Sequence, residues 1–142
     1  MGATERRVSV TVLLVDVANV LGARPDGWWR DRAGATARLL ARFAALPGTT
    51  VPGPDGGPLT CTGLTAVVEG AARDVTGPPG VRLVRATGSG DDALAAEAQA
   101  AAGPLLVVTA DRGLRARLPP GTAVAGPGWL LGVLPSGAPP TG

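Results

Sequence analysis

Apolar residues in this chain come in short runs separated by glycine, proline and charge. Val8–Val15, Leu64–Val68, Val81–Val84 and Leu105–Thr109 are the clearest, and Thr122–Ala125 is a weaker fifth. Runs of this length, bounded by polar residues, suit strands buried on both faces. Between them the pattern predicts helices. Asp26 reads as the N-cap of a helix from about Trp28 to Leu46, with Trp29, Ala33, Ala37, Leu40 and Phe43 on the buried stripe and Arg30, Arg32, Arg38 and Arg42 outside it. A short turn or helix spans Ala71 to Val75. An alanine-rich helix opens at Asp91-Asp92 and runs to about Ala102, and helices follow at Arg112–Leu118 and Gly128–Val133. Pro47–Gly63 reads as a Pro/Gly-rich connection, either a mobile flap or irregular surface. Strands alternate with helices, so the expected fold is α/β: a three-layer αβα sandwich around a mostly parallel five-stranded sheet. No internal repeat is visible. Residues 1–134 form the expected domain, Met1–Arg7 a frayed start, and 135–142 a flexible Pro/Gly tail.

Length agrees with one domain: 142 residues can bury an adequate core. The formal charge of +2 is mildly basic, and all 13 basic residues are arginine. The absences narrow the chemistry further. Histidine is missing, which excludes Ser-His-Asp and Cys-His catalysis and histidine metal ligands. Lysine is missing, which excludes a P-loop lysine and a Schiff base. Cys61 stands alone, so one chain forms neither a disulfide nor a thiolate zinc site, and a reduced cytoplasm is the expected location. The run after Arg6-Arg7 is closed by Asp16 with no A-x-A site, unlike a secretory leader. No segment approaches the roughly 18 apolar residues of a membrane span. What remains is chemistry by carboxylates, amides, hydroxyls, arginine or a metal.

The acids then fall into a pattern. Asp16 ends the first strand and Glu69 the second. Asp91 and Asp92 open the helix after the third, and Asp111 follows the fourth. Five of the 11 acidic residues thus lie at the carboxyl edge of the sheet, where open α/β sheets bind ligands. Adjacent strands are about 4.8 Å apart, so such carboxylates can converge on one or two ions. Clustered carboxylates are how Mg²⁺ or Mn²⁺ is held. Each acid also has a plain structural role open to it. Asp91 and Asp92 favour a helix N-terminus, with Ser89 as cap; Asp111 can cap its own helix; Glu69 can be a solvated strand end. Asp16 is harder to explain that way, because a carboxylate closing a buried strand needs partners.

One stretch suggests a dinucleotide instead. Gly88-Ser89-Gly90-Asp91-Asp92-Ala93 matches G-x-G-x-x-A between a strand and a helix. The two aspartates would then stand where a pyrophosphate must lie, and the motif is not on the first strand.

With these residues in view, the chain resembles a PIN-like nuclease of the NYN (YacP-like) type, from about Val12 to Leu131. The resemblance rests on Asp16-Val17-Ala18-Asn19, on Val68-Glu69-Gly70, on Gly90-Asp91-Asp92-Ala93-Leu94, and on Val107-Val108-Thr109-Ala110-Asp111. The family usually has aspartate where Glu69 stands. The resemblance implies the strand order 3-2-1-4-5, with the first strand between the second and fourth. It also implies a metal-dependent ribonuclease with acids holding Mg²⁺ or Mn²⁺.

The function expected on this basis is hydrolysis of RNA phosphodiester bonds. Asp16, Asp92 and Asp111 are the expected metal ligands. Asp91 and Glu69 assist directly or through water, and Asn19 orients a carboxylate or the phosphate. Asn19 as a plain turn residue and Thr109 as a plain β-branched strand residue are the competing readings. Arg24, Arg30, Arg73 and Arg112 are candidate contacts to RNA, single-stranded or structured, and Trp28 a candidate for stacking on a base. Trp29 belongs to the core stripe. The competing function is a non-catalytic RNA-binding or assembly module on the same fold; the oligomeric state is left open.

Overall fold

The computed structural model describes residues 9–23 and 27–135, apart from the side chains of Ser9 and Trp28. The expected frayed start, the Asp26 cap, the RNA contact at Arg24, the stacking role of Trp28 and the tail beyond Pro135 lie outside what is described.

Six strands form one sheet. β1 (Ser9–Asp16) lies in parallel between β3 (Pro58–Val68) and β5 (Leu105–Val108). β4 (Val81–Arg85) extends the sheet beyond β3, and β6 (Ala123–Ala125) extends it beyond β5, both in parallel. The five parallel strands therefore run β4-β3-β1-β5-β6. The sixth, β2 (Thr50–Pro52), pairs antiparallel with the start of β3.

Successive residues of β1 face opposite layers, as the pleat requires. Leu13 and Val15 pack with Val20, Leu39, Leu40, Phe43 and Leu130, supplied by α1 (Val17–Gly22), α2 (Arg32–Phe43) and α5 (Pro127–Val133). Leu14 packs on the other face with Leu94, Ala98 and Leu114, supplied by α3 (Gly90–Ala100) and α4 (Arg112–Arg117). The result is helix, sheet, helix, with β1 buried on both sides.

Three sequence expectations need correction. First, where no element is expected between the first strand and Asp26, β1 passes directly into α1, capped by Asp16. Val17, Val20 and Leu21 at helical spacing bury one side of this short helix. Second, Pro47–Gly63 is not irregular. It holds β2, a turn and the first half of β3. Gly56, at φ 87°, lets the chain reverse there, and Asp55 Oδ1 accepts the Gly57 N–H at 2.9 Å. Leu59 and Cys61 are buried on alternate positions, the period-two signal of a half-covered strand.

Third, the long helix begins at Arg32, not Trp28. Asp31 caps it by accepting the Gly34 N–H at 3.0 Å, and Trp28–Arg30 forms a separate 3-10 turn. The break separates Trp29 from the helix. The buried stripe is Ala35, Thr36, Leu39, Leu40 and Phe43, while Ala33 and Ala37 are exposed. Trp29, expected in the core, is 60% exposed and has the Arg30 guanidinium 6.0 Å from its ring centroid. The described chain ends against α2, where Arg42 Nε and Nη2 donate to the Pro135 carbonyl.

Candidate active site

The site is built from four junctions at the carboxyl edge of the parallel strands. Asp16 closes β1 and is 4% exposed. Its Oδ1 accepts the Asn19 N–H at 3.4 Å, so it caps α1; its Oδ2 accepts from the Thr109 hydroxyl at 3.0 Å. Burial pushes this carboxyl up from 3.8 to about 6, with smaller upward contributions from Asp91 and Glu69. The two hydrogen bonds work against that rise but do not cancel it.

Thr109 follows β5 and is fully buried. Its Oγ1 also accepts the Asp111 N–H at 3.1 Å, and Asp111 caps α4 by accepting the Leu114 N–H at 3.0 Å. Asn19 completes the tie between the two junctions: its Oδ1 accepts the Ala110 N–H at 2.7 Å. The plain readings of Asn19 and Thr109 are therefore insufficient. Both hold the turn after β5 against the turn after β1.

Glu69 ends β3 and reaches across to α3, where its Oε2 accepts the Gly90 N–H at 2.5 Å. The fit is close: a Cβ at Gly90 would lie 2.8 Å from Glu69 Cδ. Any larger residue at this position would displace the Glu69 carboxylate. Ser89 caps α3 by accepting the Asp91 N–H at 3.1 Å.

Asp91 and Asp92, adjacent in the first turn of α3, part company. Asp91 enters the crevice. Burial raises its pKa first, and the nearby charges of Asp111 and Glu69 raise it further. Asp92 turns outward, where Arg117 Nη2 lies 2.8 Å from its Oδ1 in an ion pair. The structure thus brings Asp16, Glu69, Asp91 and Asp111 together, with Asn19 and Thr109 behind them, and sets Asp92 at the rim. Among the described residues, no three Asp, Glu, His or Cys side chains are drawn in tightly enough to hold one ion as they stand. The donors are all oxygen, the chemistry that Mg²⁺ and Mn²⁺ take.

The expected RNA contacts are dispersed. Arg30 lies against Trp29, and Arg73 Nε is 4.0 Å from Asp74 Oδ1. Arg112 is exposed at the start of α4. Arg117, which sequence reasoning did not single out, is nearer the acids. Its position six residues after Asp111 carries no motif, so only the packing of α3 on α4 reveals it. A concavity of about 620 Å³ lies at the opposite, amino edge of the sheet, lined by Val10, Thr11, Pro104, Leu105 and Pro119 among others. Its lining has no titratable side chain, so it does not compete with the acidic edge as a place for chemistry.

No described helix is long and apolar enough to cross a membrane. No protein-family model matches the chain, and no curated protein matches it. Among solved structures the chain is similar to Rae1 (YacP) from Bacillus subtilis, at TM-score 0.56 and 20% identity, over 84% of this chain and 71% of that one. At that identity the likeness shows the fold, which is YacP-like.

Proposed function

We propose that the protein is a metal-dependent ribonuclease. The observation that carries this reading is the meeting of Asp16, Glu69, Asp91 and Asp111 at one sheet edge, with Asp16 and Asp91 both raised in pKa. Carboxyls gathered at a cost to their own ionisation are a common mark of a functional site. The YacP-like fold and the motif resemblance point the same way.

Asp16, Asp91 and Asp111 would hold Mg²⁺ or Mn²⁺, with Glu69 acting directly or through water. We favour Asp91 over the Asp92 first expected, because Asp92 is exposed at the rim beside Arg117 while Asp91 lies nearer the other acids. A bound ion lowers the pKa of a coordinated water and neutralises charge on the phosphate.

The protein's own residues supply position. Thr109 keeps one Asp16 oxygen fixed. Asn19, through the Ala110 N–H, keeps Asp111 at its distance from Asp16. The Gly90 N–H holds Glu69 over the start of α3. RNA is the substrate class, and the cytoplasm the compartment that the lone thiol and the fold suit.

The test is cleavage of single-stranded RNA by purified protein with Mn²⁺ or Mg²⁺. Cleavage should stop in chelator and fall at least a hundredfold in Asp111→Asn. Equal cleavage by wild type and Asp111→Asn would reject the assignment.

A further inference from the structure

Arg117 lies in the last turn of α4, and Asp92 in the first turn of α3. Their ion pair therefore joins the two helices that carry Asp91 and Asp111 into the crevice. Both side chains are open to water, 46% exposed for Arg117 and 70% for Asp92. An ion pair this exposed adds little to folding and exchanges readily.

An ion held by the acids would serve the phosphate being cleaved; a neighbouring backbone phosphate at the rim still lies close to four carboxyl side chains, and a cation beside them would offset that charge. Several described arginines are engaged elsewhere. Arg82 pairs with Glu97, Arg85 donates to the Arg73 and Val75 carbonyls, Arg42 donates to Pro135, and Arg30 lies on Trp29. Arg117 stands at the crevice itself, and its charge acts directly on Asp91. A guanidinium has five N–H donors in a planar fork. Its contact with Asp92 runs through Nη2, which leaves capacity for a second acceptor.

We infer that Arg117 receives a backbone phosphate of the RNA at the rim of the acidic crevice, and that Asp92 holds the guanidinium in place until the phosphate arrives. This rests on the ribonuclease reading above. Asp92 is then a positioning residue that competes with the substrate for Arg117.

The experiment is binding of a short fluorescein-labelled oligouridylate, followed by anisotropy in Mn²⁺ over a range of salt. Every protein carries Asp16→Asn, so that bound RNA stays intact. Adding Arg117→Ala should weaken binding about 5- to 10-fold and reduce the slope of log K against log salt by about 0.7, one single-strand phosphate contact. Arg117→Lys should keep the slope and lose part of the affinity. Asp92→Asn should tighten binding about 2- to 3-fold by removing the competitor. Circular dichroism confirms folding of each, and Arg117→Lys with Asp92→Asn carries the test if Arg117→Ala does not fold. Unchanged affinity and slope in Arg117→Ala, or weaker binding in Asp92→Asn, overturns the inference alone. A wild-type protein that neither binds nor cleaves the RNA in Mn²⁺ overturns the ribonuclease reading with it.

Discussion

The Thr109 hydroxyl donates to Asp16 Oδ2 at 3.0 Å while accepting the Asp111 N–H at 3.1 Å. One buried oxygen thereby fixes an acid at the end of β1 relative to an acid beside β5. Thr109→Val keeps the shape and removes both bonds. It leaves Asp16 Oδ2 and the Asp111 N–H without this partner, which should cost about 1–3 kcal/mol in urea denaturation. Loss of the donor should also move the Asp16 pKa further upward, a change readable by carboxyl NMR. RNA cleavage should fall more than tenfold and recover in Thr109→Ser. A Thr109→Val protein as stable and as active as wild type would show that the hydroxyl only fills space.

Gly90 gives a way to move Glu69 without altering any acid. In Gly90→Ala the new Cβ meets Glu69 Cδ and Oε2, each at 2.8 Å. These are the far end of a flexible side chain, so the carboxylate swings away rather than the backbone. Alanine also favours the helix by about 0.5–1 kcal/mol. Thermal stability should therefore stay within about 1 kcal/mol of wild type, while cleavage falls about tenfold, similar to Glu69→Gln. A large loss of stability would mean that Glu69 cannot yield and that its bond to Gly90 is structural.

How far the sequence could be read follows from the range of the forces involved. The parallel strands were legible because burial on both faces leaves an uninterrupted apolar run, as in Leu105–Val108. The acids were legible as a set because each stands at a strand or helix boundary. The choice between Asp91 and Asp92 was not, since neighbours on a helix point about 100° apart and only the docking of α3 decides which one faces inward. α1 was hidden because six residues are too few for a periodicity to show beside a strand. The phase of α2 was misread because Asp26 and Asp31 are both plausible caps: Leu40 and Phe43 lie on either stripe, but Trp29 falls in a separate 3-10 turn and the buried positions before Leu40 are Ala35, Thr36 and Leu39 rather than Ala33 and Ala37. Arg117 was invisible because its partner lies on another helix.

That phase can be tested directly. Trp29 is 60% exposed, whereas Phe43 is fully buried against the sheet. Trp29→Ala should cost less than about 1 kcal/mol, as surface changes do. Phe43→Ala should cost about 3–5 kcal/mol through lost burial and the cavity left behind. Chemical denaturation of the two variants distinguishes the arrangements, and a Trp29→Ala loss as large as that of Phe43→Ala would restore the longer helix.

The acidic edge should weaken the fold in the absence of metal, and Asp16 sets the sign. Its carboxyl titrates near 6 in the folded protein against 3.8 unfolded, and Asp91 shifts in the same direction. Between those values the folded state holds a proton that the unfolded chain has released. Stability is therefore fully present below about pH 3.8 and is lost as pH rises through about 6. The shift for Asp16 alone corresponds to about 3 kcal/mol. Asp16→Asn cannot ionise and keeps an oxygen for the Thr109 hydroxyl, although its amide serves the Asn19 N–H less well. In chelator at pH 7.5 the variant should be more stable than wild type by about 1–2 kcal/mol, with the advantage gone near pH 4. Millimolar Mn²⁺ should then stabilise wild type by mass action and the variant less, narrowing or reversing the gap. The rival account treats Asp16 as a helix cap and nothing more. It requires the variant to be the less stable protein at pH 7.5 in chelator, and both proteins to ignore the metal. Urea titrations at the two pH values, with and without Mn²⁺, separate the accounts, and a destabilised, metal-indifferent Asp16→Asn would remove the basis for a metal site at this edge.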